Sequence, residues 1–471
     1  MAKSAQLENL LDALRRELGE DGLACDLAVE GRHVSEPRKR YRGQPLAVAS
    51  PASVEAVSAV VRLCAGAGVA IVPQGGHTGL VGGAIAGPGE LVLSLERLRR
   101  IRVLDTFDAS VVVESGCTLA GLRQAAEDAG LLYPVSLASE GTATIGGTLA
   151  TNAGGNLTIR YGNSREQVLG LEVVLADGRV WSDLDPLRKD NSGYDLKQLF
   201  IGSEGTLGII TAAALKLAPA PLQSVTALLA SSNLHAGMAL LKHLRAGLGE
   251  CLSACEFMPR RALEFVLEDQ PDQRDPFDCP YPWYVLVQAD SALPGDNLEA
   301  ASLSVFEQAI EAGLSREVVL ANSLGQVNAL WALREGISAA QKHGGVSLKH
   351  DISVPVARIP DFVDETLAAL AQAVPGIRPC VFGHLGDGNL HFNLSQPENM
   401  DGDAFLSLEP VCNRIVFDQV RRYRGSIAAE HGIGQLRRDE LARGQPLKVE
   451  LMRRIKQALD PKGVFNPGKV L

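Results

Sequence analysis

Residues 45–217 alternate short apolar runs with glycine-rich turns, which predicts short strands joined by tight loops. Ser53 can cap a helix whose apolar positions recur at helical spacing from Val54 onward. Asp177-Gly178 predicts a hairpin, because this dipeptide favours the tight turn between two paired strands. The predicted strands in this part of the chain are residues 69–72, 91–95, 110–114, 171–175 and 206–217.

A boundary follows at Ala218-Pro219-Ala220-Pro221, where two prolines predict a stiff segment that is not paired in a sheet. Beyond it, strands alternate with longer helices, which predicts an antiparallel sheet covered on one face. The predicted strands are residues 225–230, 252–257 and 284–289, and the predicted helices are residues 234–248, 297–312 and 325–342. From residue 403 the chain is mainly helical. The expected fold class is α+β, with an N-terminal helical segment (1–42), a first domain (43–220), a cap domain (221–425) and a C-terminal helical segment (426–471).

Composition places the chain among ordinary globular proteins and argues against nucleic-acid binding. Of the 471 residues, 46% are hydrophobic and 21% charged, and the net charge is −10 without any block of lysine or arginine. The eight cysteines form no Cys-x-x-Cys pair, which favours a reducing compartment. Residues 1–20 predict an acidic amphipathic helix rather than a targeting peptide, and no apolar run reaches the roughly 20 residues that span a bilayer. We therefore expect a cytoplasmic protein with no transmembrane segment.

Two histidines and a carboxylate suggest a metal site. If Asp387-Gly388 forms a two-residue hairpin turn, His384 lies directly opposite His391, with Cβ atoms about 5 Å apart. Glu430, next to His431, supplies a carboxylate. Two imidazoles and one carboxylate hold a catalytic metal with open positions; zinc is the first expectation, and manganese, iron and cobalt also suit these ligands. The alternative is that each histidine is an ordinary surface or core residue.

Three glycine-rich stretches can bring the backbone close to a phosphate. The first, residues 73–83, follows a predicted strand, lacks the Gly-Lys-Ser/Thr of nucleotide-hydrolysing phosphate loops and does not fit the dinucleotide fingerprint. Taken alone, it is equally well a tight surface turn. The second and third stretches are residues 139–155 and 202–211.

In this order, the three stretches resemble the FAD-binding domain of the vanillyl-alcohol-oxidase-type (PCMH-type) flavoproteins. Further segments are similar to the D-2-hydroxyglutarate dehydrogenase family over residues 42–471; they are residues 331–335, 349–355, 384–391, 430–434 and 466–469. The resemblance implies a two-subdomain FAD-binding domain, an α+β cap domain carrying the metal hairpin, and a helical C-terminal segment that returns to the flavin site.

The resemblance also implies which residues bind FAD. The glycines of the first stretch would cradle the pyrophosphate, and the second and third stretches would line or pack along the flavin. His77 stands where asparagine is expected; our hypothesis is a hydrogen bond near the pyrophosphate, and the alternative is a covalent bond to the flavin. The implied set is Pro73, Gly75, Gly76, His77, Thr78, Gly79, Gly82, Ser139, Thr142, Gly146, Gly147, Asn152, Gly205, Ile210 and Asn466.

The implied chemistry is oxidation of a D-2-hydroxy acid. The metal would chelate the hydroxyl and one carboxylate oxygen, and hydride would pass from C2 to flavin N5. His431 is the candidate general base, because imidazole titrates near neutral pH. The alternative for His431 is a hydrogen-bonding group that only orients the ligand Glu430.

The substrate anchors implied by the resemblance are Arg334, Ser338, Lys349 and Asn393. Arginine grips a carboxylate with two donors, and Ser338 lies one helical turn further along the same predicted helix face. Lys349 favours a dicarboxylate, so we expect D-2-hydroxyglutarate to be converted to 2-oxoglutarate, with D-malate as a second substrate.

The nearest alternative is a D-lactate or glycolate dehydrogenase on the same scaffold. An alternative from another class is a flavin-binding subunit without turnover of its own. The family implies electron-transfer flavoprotein as the electron acceptor, with a quinone as the alternative, and a homodimer.

Overall fold

The computed structural model describes residues 2–25 and 31–471. Its strands are β1 (Leu23–Ala24), β2 (Ala47–Ala49), β3 (Ile71–Gln74), β4 (Leu91–Ser94), β5 (Ile101–Asp105), β6 (Ser110–Glu114), β7 (Leu131–Leu132), β8 (Val168–Val174), β9 (Val180–Asp183), β10 (Ile209–Lys216), β11 (Ala218–Pro219), β12 (Gln223–Ser231), β13 (Leu252–Pro259), β14 (Trp283–Ser291), β15 (Val318–Leu320), β16 (Ser347–Ser353), β17 (Arg378–His384) and β18 (Asn389–Ser395).

Its α-helices are α1 (Ala2–Leu18), α2 (Val54–Ala67), α3 (Leu119–Asp128), α4 (Ile145–Thr151), α5 (Thr158–Tyr161), α6 (Lys197–Phe200), α7 (Leu234–Leu248), α8 (Arg260–Asp269), α9 (Leu298–Glu311), α10 (Leu324–Glu335), α11 (Ile337–Ala340), α12 (Ile359–Ala373), α13 (Gly402–Ser407), α14 (Glu409–Arg422), α15 (Arg438–Gly444) and α16 (Pro446–Leu459). Across the described ranges, no helix combines the length and apolarity needed to cross a membrane.

The first of two units comprises Met1–Gly154, Asn163–Ala220 and Glu430–Leu471. One of its sheets has the order β1-β2-β4-β3, with β2, β4 and β3 parallel. Helix α2 starts as predicted, since Ser53 Oγ accepts a hydrogen bond from the amide of Ala56 at 3.2 Å. Its Val57 and Val61 are fully buried in the core on this sheet, each contributing roughly 1.5–3 kcal/mol. Loss of the cap in Ser53→Ala would cost about 1 kcal/mol.

That core is completed by the C-terminal part of the chain. Val464 and Phe465 are buried in it, and the amide of Ile71 donates to the carbonyl oxygen of Val464 at 2.7 Å. The amide of Asn466 in turn donates to the carbonyl oxygen of Ile71 at 2.8 Å. Residues that are far apart in the sequence therefore share one core.

The second sheet of this unit is antiparallel, in the order β5-β6-β10-β8-β9. The predicted hairpin at Asp177-Gly178 is confirmed, because Val174 pairs with Val180 across it and Gly178 has a φ of 84°. The predicted unpaired boundary is wrong in one respect: β11 pairs with β7 in a two-residue antiparallel ladder. Proline is tolerated there because a ladder this short can omit one amide donor.

The second unit comprises Gly155–Gly162 and Pro221–Ala429. Its antiparallel sheet has seven strands in the order β15-β12-β14-β13-β17-β18-β16. The prediction that helices cover one face is wrong. Phe382 packs with Leu263 of α8 in one core, whereas Phe392, which points to the other face, contacts Phe362 of α12 with ring centroids 5.7 Å apart. The central strands are apolar on both sides and therefore need a helical layer on each face.

Candidate active site

The hairpin that carries His384 and His391 differs in register from the prediction. Strand β17 ends at His384 and β18 begins at Asn389, so the loop between them has four residues rather than two. His384 therefore pairs with Asn389, and His391 pairs with Phe382. The physical reason is a contact with a third strand: the amide of Leu385 donates to the carbonyl oxygen of Cys255 on β13 at 2.8 Å, which removes Leu385 from the hairpin ladder.

The two histidines nevertheless lie on the same face of the sheet. His391 is two residues beyond Asn389, the partner of His384, and side chains at this spacing point the same way. The imidazole centroids are 5.7 Å apart, with the rings edge to face at 67°. Glu430 directly follows Ala429, where the second unit ends, and one ligand atom from each of the three residues lies within 4.8 Å of the other two. Two imidazole nitrogens and a carboxylate oxygen at this spacing fit a divalent metal.

Glu256 on β13 is a carboxylate that the sequence analysis did not identify. It pairs in register with His384, and its Oε1 lies 2.7 Å from His384 Nδ1. Its Oε2 accepts hydrogen bonds from Arg334, at 3.0 Å from Nε and 2.8 Å from Nη2. Burial alone would raise the pKa of Glu256, but His384 and Arg334 outweigh it and hold the pKa below its ordinary value. The available signal was a single carboxylate in a strand with no other charged residue.

Arg334 is therefore ion-paired within the protein rather than directed only at a ligand. It is 6% exposed, and its guanidinium lies 5.0 Å above the ring of Phe382. The Phe382 ring is in turn 5.0 Å from that of His391. These contacts, together with those of Glu256, link the predicted substrate arginine to both predicted metal-binding histidines.

Lys349, Ser338 and Asn393 also come together in the second unit. Lys349 lies directly opposite Asn393 on neighbouring strands, and its Nζ donates to the carbonyl oxygen of Ser338 at 3.2 Å. The side-chain Nδ2 of Asn393 donates to Oε1 of Gln341 at 2.8 Å. Burial raises the pKa of the Cys380 thiol, opposite Asn393, to about 12, while the charges of Arg261, Lys349 and Arg334 act in the other direction.

Because side chains alternate along a strand, Lys349 and Asn393 lie on the same face of the sheet as His384 and His391. On β18, Asn393 follows His391 by two residues, and on β16 their partners are Lys349 and Asp351. Asp351 is buried and pairs in register with His391. This face of the sheet thus carries the charged and coordinating groups beside apolar side chains such as Phe382, which pairs with His391, whereas Phe392 lies on the opposite face.

His431, the predicted base, directly follows Glu430 and is half-buried. The turn after it is held by Glu204, whose two carboxylate oxygens accept from the amides of Ile433 at 2.7 Å and Gly434 at 2.9 Å. Glu204 was not predicted as a functional residue, although it lies within the third glycine-rich stretch. The catalytic role of His431 stays a prediction.

A cavity of about 960 Å³ lies within the first unit. Four residues of the predicted FAD set line it, namely Gly76, His77, Thr78 and Thr142. Its lining also includes groups that were not predicted, namely Arg32, which pairs with Glu96 of the same lining, and Arg99, Thr118 and Thr144. Guanidinium and hydroxyl donors suit a diphosphate, and the volume lies within the range of small-molecule sites.

The first and second glycine-rich stretches touch at this cavity. A Cβ at Gly75 would clash with the hydroxyl of Thr144, and one at Gly76 would clash with the carbonyl oxygen of Thr142. Glycine is required here because two backbones approach closely, as they must to surround a phosphate. The local structure therefore fits the pyrophosphate of FAD.

His77 has an unusual backbone conformation for a non-glycine residue, with a φ of 58°. Its Nε2 donates to the carbonyl oxygen of Ser35, which is 2.6 Å away, and burial lowers the pKa of the ring. Its Nδ1 is buried and lacks a protein partner within the described ranges. A neutral ring with its lone pair on Nδ1 fits a hydrogen bond from a bound ligand. The covalent alternative is untested.

Two other predicted FAD residues, Gly205 and Asn466, connect separate loops of the first unit. Gly205 has a φ of 69°, and a Cβ there would clash with Pro73. The amide group of Asn466 donates to the carbonyl oxygens of Gly83 at 2.9 Å and Glu204 at 2.8 Å, and its Oδ1 is buried without a protein partner in the part of the chain that is described. An unpaired buried oxygen of this kind can accept a bond from a ligand.

The remaining predicted FAD residues serve the fold in ways that are visible locally. Asn152 ends α4 in a left-handed conformation, and its Oδ1 accepts from the amide of Arg165 at 3.0 Å. Ile210 is buried in the core of the antiparallel sheet, and the amide of Gly146 donates to Ser115. The others lie in the first stretch, in the turn before α4 and within α4: Gly79, Gly82, Ser139 and Gly147. Their contacts with FAD stay predictions.

Two family models match the chain. The one described as the FAD binding domain matches residues 45–183, and the one described as the C-terminal domain of FAD linked oxidases matches residues 220–470. Solved structures support the fold: p-cresol methylhydroxylase has a TM-score of 0.77 at 16% identity over 99% of this chain and 97% of its own. Alkyldihydroxyacetonephosphate synthase has a TM-score of 0.73 at 17% identity, over 98% of this chain and 84% of its own. The predicted PCMH-type fold is thereby confirmed.

Relatives of higher identity share one name, D-2-hydroxyglutarate dehydrogenase. The protein from Xanthomonas citri pv. viticola is 42% identical over 92% of this chain and 90% of its own length, and that from Stutzerimonas stutzeri is 39% identical over 92% of each. The Bos taurus protein, named as mitochondrial, is 38% identical over 96% of this chain and 84% of its own. The compartment of the present chain stays a prediction. From these matches and the FAD binding domain, the chain belongs to the D-2-hydroxyglutarate dehydrogenase family of FAD-dependent 2-hydroxyacid dehydrogenases.

Proposed function

We propose that this chain oxidises D-2-hydroxyglutarate to 2-oxoglutarate, using FAD and a divalent metal held by His384, His391 and Glu430. The observation that carries the proposal is the strand register: Lys349 and Asn393 lie on the same sheet face as His391, one side-chain repeat away. A metal held by the three ligands would bind the 2-hydroxy acid group, and the cation of Lys349 beside it would bind a second carboxylate. The names of the relatives support the same substrate.

The proposed division of labour follows from the groups present. A bound metal supplies Lewis acidity to the 2-hydroxy acid, and bound FAD supplies the hydride acceptor. His431 accepts the proton from the C2 hydroxyl oxygen. Lys349 holds the distal carboxylate, and the nearby carbonyl oxygen of Ser338 keeps its ammonium group in place. Asn393 completes this side of the pocket.

Arg334 has two tasks in this proposal. Its Nε and Nη2 are bonded to Glu256, so that Nη1 is the nitrogen directed to a substrate carboxylate. Pairing with Glu256 also restricts the guanidinium to one orientation, which reduces the entropy lost when a substrate binds. D-Malate, one methylene shorter, is the proposed second substrate.

The proposal is tested by substrate-dependent bleaching of the flavin under anaerobic conditions. We expect D-2-hydroxyglutarate to bleach the purified protein faster than D-malate, D-lactate, glycolate or the L-enantiomers. Faster bleaching by D-lactate or glycolate would favour the alternative dehydrogenases. Failure of all the acids to bleach a flavin that dithionite still reduces would contradict dehydrogenation by this chain alone.

We also propose electron-transfer flavoprotein as the acceptor that reoxidises the flavin, and a homodimer as the assembled form. Both proposals rest on the family resemblance. Mixing the substrate-reduced protein with purified electron-transfer flavoprotein tests the first, and sedimentation of the FAD-loaded protein tests the second.

A further inference from the structure

Glu256 uses both carboxylate oxygens inside the second unit. Oε1 faces His384 Nδ1 at 2.7 Å, and Oε2 accepts from Arg334 Nε at 3.0 Å and Nη2 at 2.8 Å. The carboxylate side chain is 1% exposed, the His384 side chain 7% and the Arg334 side chain 7%. A carboxylate enclosed to this degree must have its oxygens paired to be tolerated, and here each oxygen serves a different predicted part of the active site.

The contact with His384 determines which nitrogen of the imidazole carries the hydrogen. A neutral imidazole has one N–H and one lone pair, and a carboxylate at Nδ1 favours the tautomer with the hydrogen on Nδ1. The lone pair then lies on Nε2, which is the nitrogen that can coordinate a metal. The same bond restrains rotation of the ring, so the ligand nitrogen is oriented before the metal binds.

The contact with Arg334 restrains the arginine that is predicted to bind the substrate carboxylate. Contacts from Nε and Nη2 to the same carboxylate oxygen, Oε2, restrain the guanidinium group, whose central carbon also lies 5.0 Å from the centroid of the Phe382 ring. If Glu256 lost its charge, the guanidinium would lack its counter-charge, and the substrate anchor would be free to turn.

We propose that Glu256 is a positioning residue that couples the two halves of the site, holding His384 in the tautomer that presents Nε2 to the metal and Arg334 in the orientation that meets the substrate carboxylate. The inference rests on the proposed function, because it concerns the metal and the carboxylate anchor named there. It adds that metal affinity and substrate affinity depend on one shared carboxylate.

The test compares Glu256→Gln with a matched control in FAD-loaded protein. Glu114 is also 1% exposed and pairs with Arg100 and Arg102, but it lies in the first unit, so Glu114→Gln removes a comparable buried charge elsewhere. The measurements are zinc and cobalt content per chain after dialysis, and affinity for each ion from competition with a chelator. A glutamine at position 256 cannot accept from both partners, since its amide nitrogen must face one of two donors.

We expect the affinity for zinc to fall about 10–100-fold in Glu256→Gln and to keep its wild-type value in Glu114→Gln. At saturating zinc, the KM for D-2-hydroxyglutarate should remain raised in Glu256→Gln by about 10-fold or more, through Arg334. Wild-type metal affinity in a folded Glu256→Gln protein would overturn the inference. If the wild-type protein itself binds neither ion, both the metal site and this inference are wrong.

Glu256→Asp provides the second variant. It keeps the charge but withdraws the carboxylate by one methylene, so it cannot reach His384 and Arg334 together. If Glu256→Gln does not fold, at least 10-fold weaker zinc binding by Glu256→Asp than by Glu114→Gln supports the inference, and equal binding overturns it. A merely structural salt bridge would change the unfolding temperature of both glutamine variants without a selective effect on metal affinity.

Discussion

Lys349 donates a hydrogen bond from Nζ to the carbonyl oxygen of Ser338, 3.2 Å away, and lies opposite Asn393 in the sheet. This relationship leads to the clearest test of substrate choice. We expect Lys349→Ala to lower kcat/KM for D-2-hydroxyglutarate about 10–100-fold, because a hydrogen bond to a charged group contributes about 1.5–3 kcal/mol. The kcat/KM for D-lactate should change little, since D-lactate has no second carboxylate.

The control for this prediction is Lys342→Ala, which removes a nearby lysine that is exposed and paired with Asp269. It should leave both kcat/KM values unchanged. Equal losses with both substrates in Lys349→Ala would exclude a role for Lys349 in holding the distal carboxylate.

Removal of the metal should abolish substrate-dependent reduction of the flavin while leaving the flavin itself intact. His384, His391 and Glu430 offer the ligands, and no other group of three such residues is found in the described ranges. After treatment with a chelator, we expect bleaching by D-2-hydroxyglutarate to stop and to return on addition of zinc, cobalt or manganese. Dithionite should still reduce the flavin in the stripped protein. Full turnover without metal, confirmed by elemental analysis, would disprove the metal site.

His431→Ala should slow flavin reduction by about 100-fold or more, because a positioned general base contributes about this factor. Metal content should remain at the wild-type level, since Glu430 and both histidines are retained. The measurements are stopped-flow absorbance of the flavin and elemental analysis of the same preparation. Loss of metal from His431→Ala would instead identify His431 as a group that orients Glu430.

Gly76→Ala should reduce FAD content, because its Cβ would clash with the carbonyl oxygen of Thr142 and push the two glycine-rich stretches apart. We expect at least a 10-fold loss of affinity for FAD, measured by fluorescence titration of the apoprotein. Gly66→Ala is the matched control: it lies in α2 with open space around the position, and alanine should stabilise that helix by about 0.5–1 kcal/mol. Equal FAD affinities in the two variants would argue against FAD binding where the first and second glycine-rich stretches meet.

Glu204 predicts a pH dependence of stability. Burial raises the pKa of Glu204 from 4.5 to about 7, although the amides of Ile433 and Gly434 oppose this shift. Because the folded state holds the proton more tightly, the stability that Glu204 contributes is present below about pH 4.5 and is lost as the pH rises to about 7. The scale is about 1.4 kcal/mol for each pKa unit.

Urea unfolding of the wild type and of Glu204→Gln between pH 5 and 8 would measure the contribution of Glu204 to the free energy of unfolding. The free energy of unfolding of the wild type should fall relative to that of the variant up to about pH 7, and the difference should then become constant. Parallel curves over the whole range would show that Glu204 does not titrate there.

Local patterns were predictable where they rest on neighbouring residues. Strand β6 and helix α7 begin and end at the predicted residues, because β6 is a short run centred on three valines and the helical periodicity of α7 is unbroken. The long predicted helix at residues 325–342 instead forms α10 and α11, with Gly336 between them, followed by a short 3₁₀ turn. The grouping of His384, His391 and Glu430 could be predicted because three uncommon side chains lie in short, distinctive segments, and their binding of a metal stays a prediction.

What the sequence could not predict depends on contacts between distant segments. The register of the histidine hairpin is set by Leu385 bonding to Cys255, far away in the chain. Glu256 is likewise separated from His384 by 128 positions, and no local pattern connects them. Arg334 was identified as a carboxylate ligand, but the carboxylate it already holds belongs to the protein.

The position of Val464 and Phe465 in the core beside Ile71 has a consequence for how the polypeptide matures. During translation, the segment Pro221–Ala429 emerges before these two residues, so it can condense while the earlier-made strands still expose part of their apolar surface. Nascent chains arrested before residue 464 should therefore bind chaperones through their N-terminal half, and chains long enough to expose residues 464–465 should bind them less.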